Sequence, residues 1–268
     1  MSSVCHKFHK SRAAYYKLDV ATQKKALDGR ILHVLTVEKR KEMPRLGGKK
    51  TYHELKADLR QHGIRIGRDK YFDWLRTENM LIRPKRRYAK TTNSFHRFRM
   101  YDNKIKGLLV KMADQVWVSD ITYLRLQKGF CYLSLITDVY SRKIVGYNVS
   151  NTLEVKGTLK ALEQACQGKT NRKTIHHSDC GFQYCSKQYT NLLKVNNIDI
   201  SMGEVGNCYE NALAERVNGI LKSEFNLDTT FMNINYALKA VNQAIKTYNE
   251  LRPHMAIGLQ KPNDLYAA

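Results

Sequence analysis

Apolar positions along the chain change their period near residue 116. Ahead of that point the spacing is helical. In "TYHELKADLRQHG" (51–63) Leu55 and Leu59 stand four apart, and in "RDKYFDWLRTENML" (68–81) Tyr71, Trp74 and Leu75 fall at i, i+3 and i+4. With the short "IRIG" between them, these segments predict two helices joined by a tight glycine-containing turn. That pattern fits a helix-turn-helix and a plain helical hairpin equally well. Upstream, "ATQKKALDGRILHVLTVEKRK" (21–41) is polar and helix-prone until Pro44 and the Gly47-Gly48 pair interrupt it.

From residue 116 the period becomes two. "VWVSDITYLRL" places Val116, Val118, Asp120, Thr122 and Leu124 on one face, and "FCYLSLITDVYS" and "KIVGYNVS" follow at hairpin spacing, which predicts three sequential antiparallel strands. Helical and strand patterns then alternate: "VKGTLKALEQAC", with Val155, Leu159 and Leu162 in phase, the short strand "TIHHSD", the helix "SKQYTNLLKVNN" and the strand "IDISM". Strands first and alternation afterwards give an α/β domain, a mixed sheet flanked by helices. In "GNCYENALAERVNGILKSEF" one helix side carries Leu213, Val217, Ile220, Leu221 and Phe225, and the opposite side carries Asn211, Glu215, Asn218 and Lys222.

Charge sharpens this division. The 268 residues carry a formal charge of +22, from 46 Lys and Arg against 24 Asp and Glu. Residues 1–100 hold 26 of the basic residues and 9 of the acidic ones. A basic front of this size points to a polyanionic partner, and beside a hairpin of helices it favours DNA. The expected divisions are a basic helical segment (1–48), a helix-turn-helix region (49–82), a basic linker (83–110) and a catalytic-type α/β core (111–268). "LIRPKRRYAKTTNSFHRFRM" (81–100) contains seven basic residues, no acidic one, and the aromatics Tyr88, Phe95 and Phe98; a segment that lies along phosphates is expected, with a solvated linker as the plainer alternative.

No stretch approaches the roughly 18 apolar residues of a membrane span, and "MSSVCHKFHKSRAAYYK" lacks the apolar centre of a signal peptide. Residence in the cytoplasm or wherever DNA is found is expected, with no membrane partner; the resemblance drawn below narrows this to a bacterial, nucleoid-associated protein. The six cysteines are scattered without a CxxC pair, as suits free thiols in a reducing compartment.

Three acids stand out. Asp120 interrupts an apolar strand face, where a carboxylate is costly to desolvate without a counter-charge. Asp179 ends the short strand "TIHHSD", and Gly181 lets the backbone turn away behind it. Glu215 heads the polar helix stripe, where an ordinary surface glutamate is the competing reading. The first two are separated by 58 residues and the last two by 35.

On "VWVSDITYL", "DVYSRKIVGY", "HSDCGFQYCS", "GNCYENALAERVNGILKSE" and "YNELRPHMAIG", in that order along residues 50–265, the chain resembles the DDE transposases and retroviral integrases. More narrowly, it resembles the second-frame catalytic proteins of the insertion-sequence family numbered three. The resemblance implies a ribonuclease H-like core with a mixed five-stranded sheet, preceded by a small all-α helix-turn-helix region. It implies that Asp120, Asp179 and Glu215 are catalytic acids holding two Mg²⁺ ions, with Mn²⁺ able to substitute. Lys222 would face the DNA end, and Tyr248, Arg252, Pro253 and His254 would form a mainly structural closing motif.

Further DNA contacts are expected from Asn211 and Asn218 on the same helix stripe, from Lys49, Lys50, Arg65 and Arg68 around the helical hairpin, and from Arg83, Lys85, Arg86, Arg87, Arg97 and Arg99 in the linker. Double-stranded DNA, both element ends and target, is the implied partner. At least a dimer on DNA is expected, because two ends are handled together, and the upstream-frame protein is a further possible partner. Zinc is the rival metal for "HHSDCGFQYC", but His177, Cys180 and Cys185 do not follow the usual ligand spacings. Two other functions compete: a DNA-binding regulator without catalysis, and a nuclease of similar fold that cuts without joining.

Overall fold

The computed structural model describes residues 11–82, 101–170, 172–203 and 211–268. The expected phosphate contacts Arg83, Lys85, Arg86, Arg87, Arg97 and Arg99 lie outside these residues, as do Cys5 and Cys208. The chain divides into two compact units between residues 82 and 83.

The first unit is helical. α1 (Arg12–Glu42) starts at Ser11, whose hydroxyl accepts from the Ala14 amide at 3.1 Å, and ends with Lys39, Arg40 and Lys41 over the negative end of the helix dipole. α2 (Gly48–Gln61) and α3 (Arg68–Thr77) follow. Gly63, at φ +69°, takes the left-handed position after α2, and the Ile64 amide returns to the Leu59 carbonyl at 2.8 Å. The helices close over Leu32, Leu55, Leu59, Ile64, Tyr71 and Leu75. Tyr71 stacks on Trp74 with ring centroids 5.8 Å apart, and its hydroxyl meets Thr36 Oγ1 at 3.2 Å.

The second unit is built on β1 (Val116–Leu126). β2 (Phe130–Asp138) pairs with it antiparallel, and β3 (Ile144–Ser150) pairs antiparallel with β2. After α4 (Val155–Gln167), β4 (Thr174–Ser178) returns to the other side of β1 in parallel. The four-residue α5 (Phe182–Cys185) and α6 (Lys187–Val195) lead to β5 (Ile198–Met202), parallel to β4. The strand order is β3-β2-β1-β4-β5. α7 (Ala212–Glu224) and α8 (Ile234–Glu250) follow, separated by a two-residue β6 (Thr230–Phe231) that pairs parallel with the far end of β1. β6 is an addition to the five expected strands, too short to leave a periodic signal. A 3₁₀ turn (Met255–Ile257) and α9 (Pro262–Ala267) complete the unit.

Two apolar layers sandwich the sheet. One packs Leu124, Leu133 and Leu135 against Val217 and Leu221 of α7 and Val241 and Ile245 of α8. The other packs Trp117 and Ile136 against Leu162 of α4, Tyr184 of α5 and Tyr189 and Leu193 of α6. Gly146 sets the approach of α4 to β3, because a Cβ there would lie 2.1 Å from the Ala161 carbonyl oxygen.

The closing motif is structural. Tyr248 donates to the Arg142 carbonyl at 3.0 Å, and buried Arg252 grips Glu224 through Nε and Nη2, each at 2.9 Å. Asn249 donates to and accepts from the backbone of Ile144 at the free edge of β3.

Candidate active site

The strand pairing brings two of the three acids to one end of neighbouring strands. Trp117 pairs with His176 and Val118 with His177 on the parallel strands β1 and β4. Asp120 follows two residues after the last of these pairs on β1, and Asp179 two residues after it on the β4 side. Asp179 lies just past the end of β4, where its Oδ1 accepts from the Gly181 amide at 3.1 Å.

α7 crosses this place with its polar stripe turned toward β1. Asn211 Nδ2 donates to the Ser119 carbonyl at 3.1 Å, and Asn218 Nδ2 donates to Asp120 Oδ2 at 2.8 Å. One turn on, Lys222 Nζ sits 4.4 Å from the centroid of the Tyr123 ring. Glu215 lies between the two asparagines on this stripe and is exposed. Asn211 and Asn218, expected as DNA contacts, are only 6% and 5% exposed. Their amides bond to the strand that carries Asp120.

The electrostatics follow from burial. Desolvation pushes the Asp120 carboxyl up to about 7, far above the ordinary range of an aspartate. The charges of Asp179 and Glu215 act in the same direction, while the bonds from Asn218 and from the Ile121 amide act against it. Burial lowers the Lys222 ammonium, and the charge of Asp120 works against that shift. All three acids thus share one field. Among the described residues no three His, Cys, Asp or Glu side chains are gathered closely enough to ligate one ion as they stand. Asp179 and Glu215 both act on Asp120 through space.

This donor set fits a hard divalent cation. Carboxylate oxygens are the ligands such ions take, and a cation among three mutually repelling carboxylates cancels the repulsion that raises Asp120. The sulfur and nitrogen groups nearby are otherwise engaged. Cys180 donates to the Gly203 carbonyl at 3.1 Å, Cys185 Sγ contacts Met202 Sδ at 3.7 Å, and His177 Nδ1 meets Ser201 Oγ at 2.9 Å. Cys131, Cys166, Cys180 and Cys185 are free thiols.

A buried network under the acids left only a faint signal in the sequence. His176 Nε2 lies 2.6 Å from Ser119 Oγ and 2.9 Å from Tyr189 Oη. This ties the residue before Asp120 to β4 and α6. The only signal was the alternation in "TIHHSD", which puts one of the two histidines on each face of β4.

In the first unit Lys49 and Arg65 are exposed and Arg68 is exposed beside Asp69, its Nε 2.8 Å from the carboxylate. Lys50, expected as a DNA contact, is buried in the first turn of α2 at 7% exposure. Among the described residues no helix is long and apolar enough to cross a membrane.

A mixed sheet in this order, with one acid on its central strand, a second just past the end of the neighbouring parallel strand and a third on the helix that bonds to the first, defines a ribonuclease H-like polynucleotidyl transferase core. The integrase core domain family matches residues 110–208 and, in a second part, 196–262. Over 272 aligned residues, 97% of this chain and 96% of the relative, the chain is 31% identical to the uncharacterized 31 kDa protein of insertion element IS600 from Shigella sonnei. It is 30% identical over 191 residues, 70% of this chain, to the transposase InsF for insertion sequence IS3A of Escherichia coli strain K12, and spans 66% of that protein's length. The simian T-cell lymphotropic virus intasome, solved in complex with PP2A regulatory subunit B56 gamma, shares the fold at 16% identity and a TM-score of 0.52, covering 82% of this chain and 74% of that one. The chain belongs to the insertion-sequence transposases, and is a DNA transposase of the DDE class.

Proposed function

We propose that the protein nicks DNA at the ends of an insertion sequence and joins the freed 3′ hydroxyl to a target phosphodiester, using Asp120, Asp179 and Glu215 to hold two Mg²⁺ ions, for which Mn²⁺ substitutes. The observation that carries this reading is the bond from Asn218 to Asp120, which holds the helix stripe bearing Glu215 against β1, with Asp179 just past the end of the neighbouring strand, in a chain that matches the integrase core. Divalent ions bound there supply Lewis-acid stabilisation of the oxygens that attack and leave. Asn218 orients the Asp120 carboxylate by a direct bond, and the Ser119–His176 contact anchors the strand behind it. Lys222 brings a cation to the same edge, suited to a DNA phosphate. Burial raises the hydroxyls of Tyr189 and Tyr248, which serve packing; the freed 3′ hydroxyl is the nucleophile of this proposal, with no covalent enzyme intermediate.

Under this proposal residues 49–82 form a helix-turn-helix that grips DNA through Lys49, Arg65 and Arg68, residues 83–110 form a basic connector, and residues 111–268 carry the chemistry. The protein works on double-stranded DNA in the bacterial cytoplasm, at least as a dimer, with the upstream-frame protein as a candidate partner. A strand-transfer assay with a labelled 3′-ended duplex and Mg²⁺ tests the function. Joined product is expected from the wild type. Glu215→Gln should lose several orders of magnitude in joining rate with DNA binding nearly intact. Cut product alone would assign a nuclease, and bound but unchanged DNA would assign a regulator.

A further inference from the structure

The pairing of β1 with β2 gathers three aromatic positions and a basic one on a single face near their hairpin. Tyr123 stands opposite Tyr132, and Arg125 opposite Phe130. Directly opposed residues of an antiparallel pair share a face, as do residues two apart on one strand. The Tyr123 and Phe130 rings meet edge to face with centroids 5.2 Å apart, which props Phe130 in place. Phe130 is nonetheless 50% exposed, and Arg125 beside it and Lys128 in the hairpin turn are exposed as well.

This face adjoins the candidate active site. Asp120 stands three residues before Tyr123 on β1, about 10 Å away at the rise of a strand. Alternation turns the two side chains to opposite faces of the sheet. β4, however, pairs with β1 only through Val118, and β6 takes up the same side again at Arg125. Among the described strands, the edge of β1 between those points is unpaired. There Lys222 of α7 meets the Tyr123 ring, its Nζ 4.4 Å from the centroid. Arg125 and Asp120 both act on the Lys222 ammonium through space.

Cations beside a fixed, exposed ring are the two parts of a site for single-stranded nucleic acid: the charges follow the phosphates and the ring takes the face of a base. The formal charge of +22 suits a polyanionic occupant. Lys222 lies over the Tyr123 ring, which leaves Phe130 to receive the base. We propose that Phe130, propped by Tyr123 and flanked by Arg125 and Lys222, is a stacking platform for an unpaired base of the DNA end. This deepens the DNA-handling role proposed above and rests on it. A base reaches the ring only after leaving its duplex, so the contact favours opened over paired DNA beside Asp120.

Fluorescence anisotropy of the full chain with an oligothymidine strand, an abasic strand of the same length and charge, and a paired duplex tests this in the wild type, Phe130→Ala and Phe130→Trp. The wild type should bind oligothymidine more tightly than the abasic strand. Phe130→Ala should lose about tenfold on oligothymidine and little on the abasic strand or the duplex. Phe130→Trp should restore the wild-type preference. Because Phe130 is half exposed, both variants should unfold near the wild-type temperature. Equal wild-type affinity for the two strands, equal losses on both in Phe130→Ala, or no loss on either would overturn this inference, and duplex binding would leave the proposed function standing. Failure of the wild type to bind any of these DNAs would overturn both.

Discussion

Asn218 donates from Nδ2 to Asp120 Oδ2 at 2.8 Å, which makes a helix asparagine the side-chain partner of a strand aspartate 98 positions away. The bond does two things at once. It fixes one carboxylate oxygen of Asp120, and it favours the ionised form that burial disfavours. Asn218→Leu keeps the bulk and deletes the donor. Mn²⁺ affinity and joining rate should each fall about 10- to 100-fold, with the fold retained by circular dichroism. Unchanged metal affinity would show that Asp120 needs no orienting partner.

Lys222 sits four residues after Asn218 on the same stripe, over the Tyr123 ring. Lys222→Ala should weaken binding to DNA ends similarly across sequences and reduce the slope of log K against log salt by about one. Lys222→Arg should keep most of the affinity, since the charge remains. Filter binding across a salt series separates these outcomes. An unaltered slope in the alanine variant would remove Lys222 from the DNA interface.

His176 makes the fold sensitive to acid. Burial, with a smaller contribution from His177, lowers its imidazole to about 3, against an ordinary value near 6.5. Because the folded value is depressed, the unfolded chain binds the proton first. The stabilisation is full above pH 6.5 and is lost as pH falls toward 3, at about 1.4 kcal/mol per unit. His176→Gln should be less stable than the wild type at pH 8, having lost ring packing, yet lose stability more slowly between pH 6.5 and 4.5. Denaturant unfolding across that window checks it; parallel stability-against-pH curves would exclude His176 as the sensing group.

Arg252 and Glu224 form a buried, two-pronged ion pair that joins the closing motif to the end of α7. Arg252→Met strips the carboxylate of this partner and should cost on the order of 3 kcal/mol. Arg252→Lys should recover only part, because an ammonium cannot make both bonds in the fork geometry. Thermal unfolding of the three proteins gives the ranking. Equal stability of the methionine variant would mean that the motif serves something other than the fold.

Much was legible in the chain alone, because it depends on local physics. The change of period from 3.6 to 2 located the helical front and the strands, and Gly63 and Gly181 marked places where the backbone turns. The acids Asp120, Asp179 and Glu215 stood out against their patterns, and the ordered motifs around them led to the family. The closing motif read as structural and is held by buried bonds from Tyr248 and Arg252.

What only the tertiary structure decided is how far apart in sequence two bonded groups can lie. Amphipathicity says that Asn211, Asn218 and Lys50 are polar, and it sends them to the surface; long-range acceptors and packing sent them inside. The parallel pairing of β1 and β4, which brings Asp120 and Asp179 to the same end of neighbouring strands, joins segments separated by a helix and two strands, and no local spacing specifies it. Local pattern is set by each residue's own preference for water or backbone geometry, whereas the site is set by contacts between elements that meet only after the chain has folded.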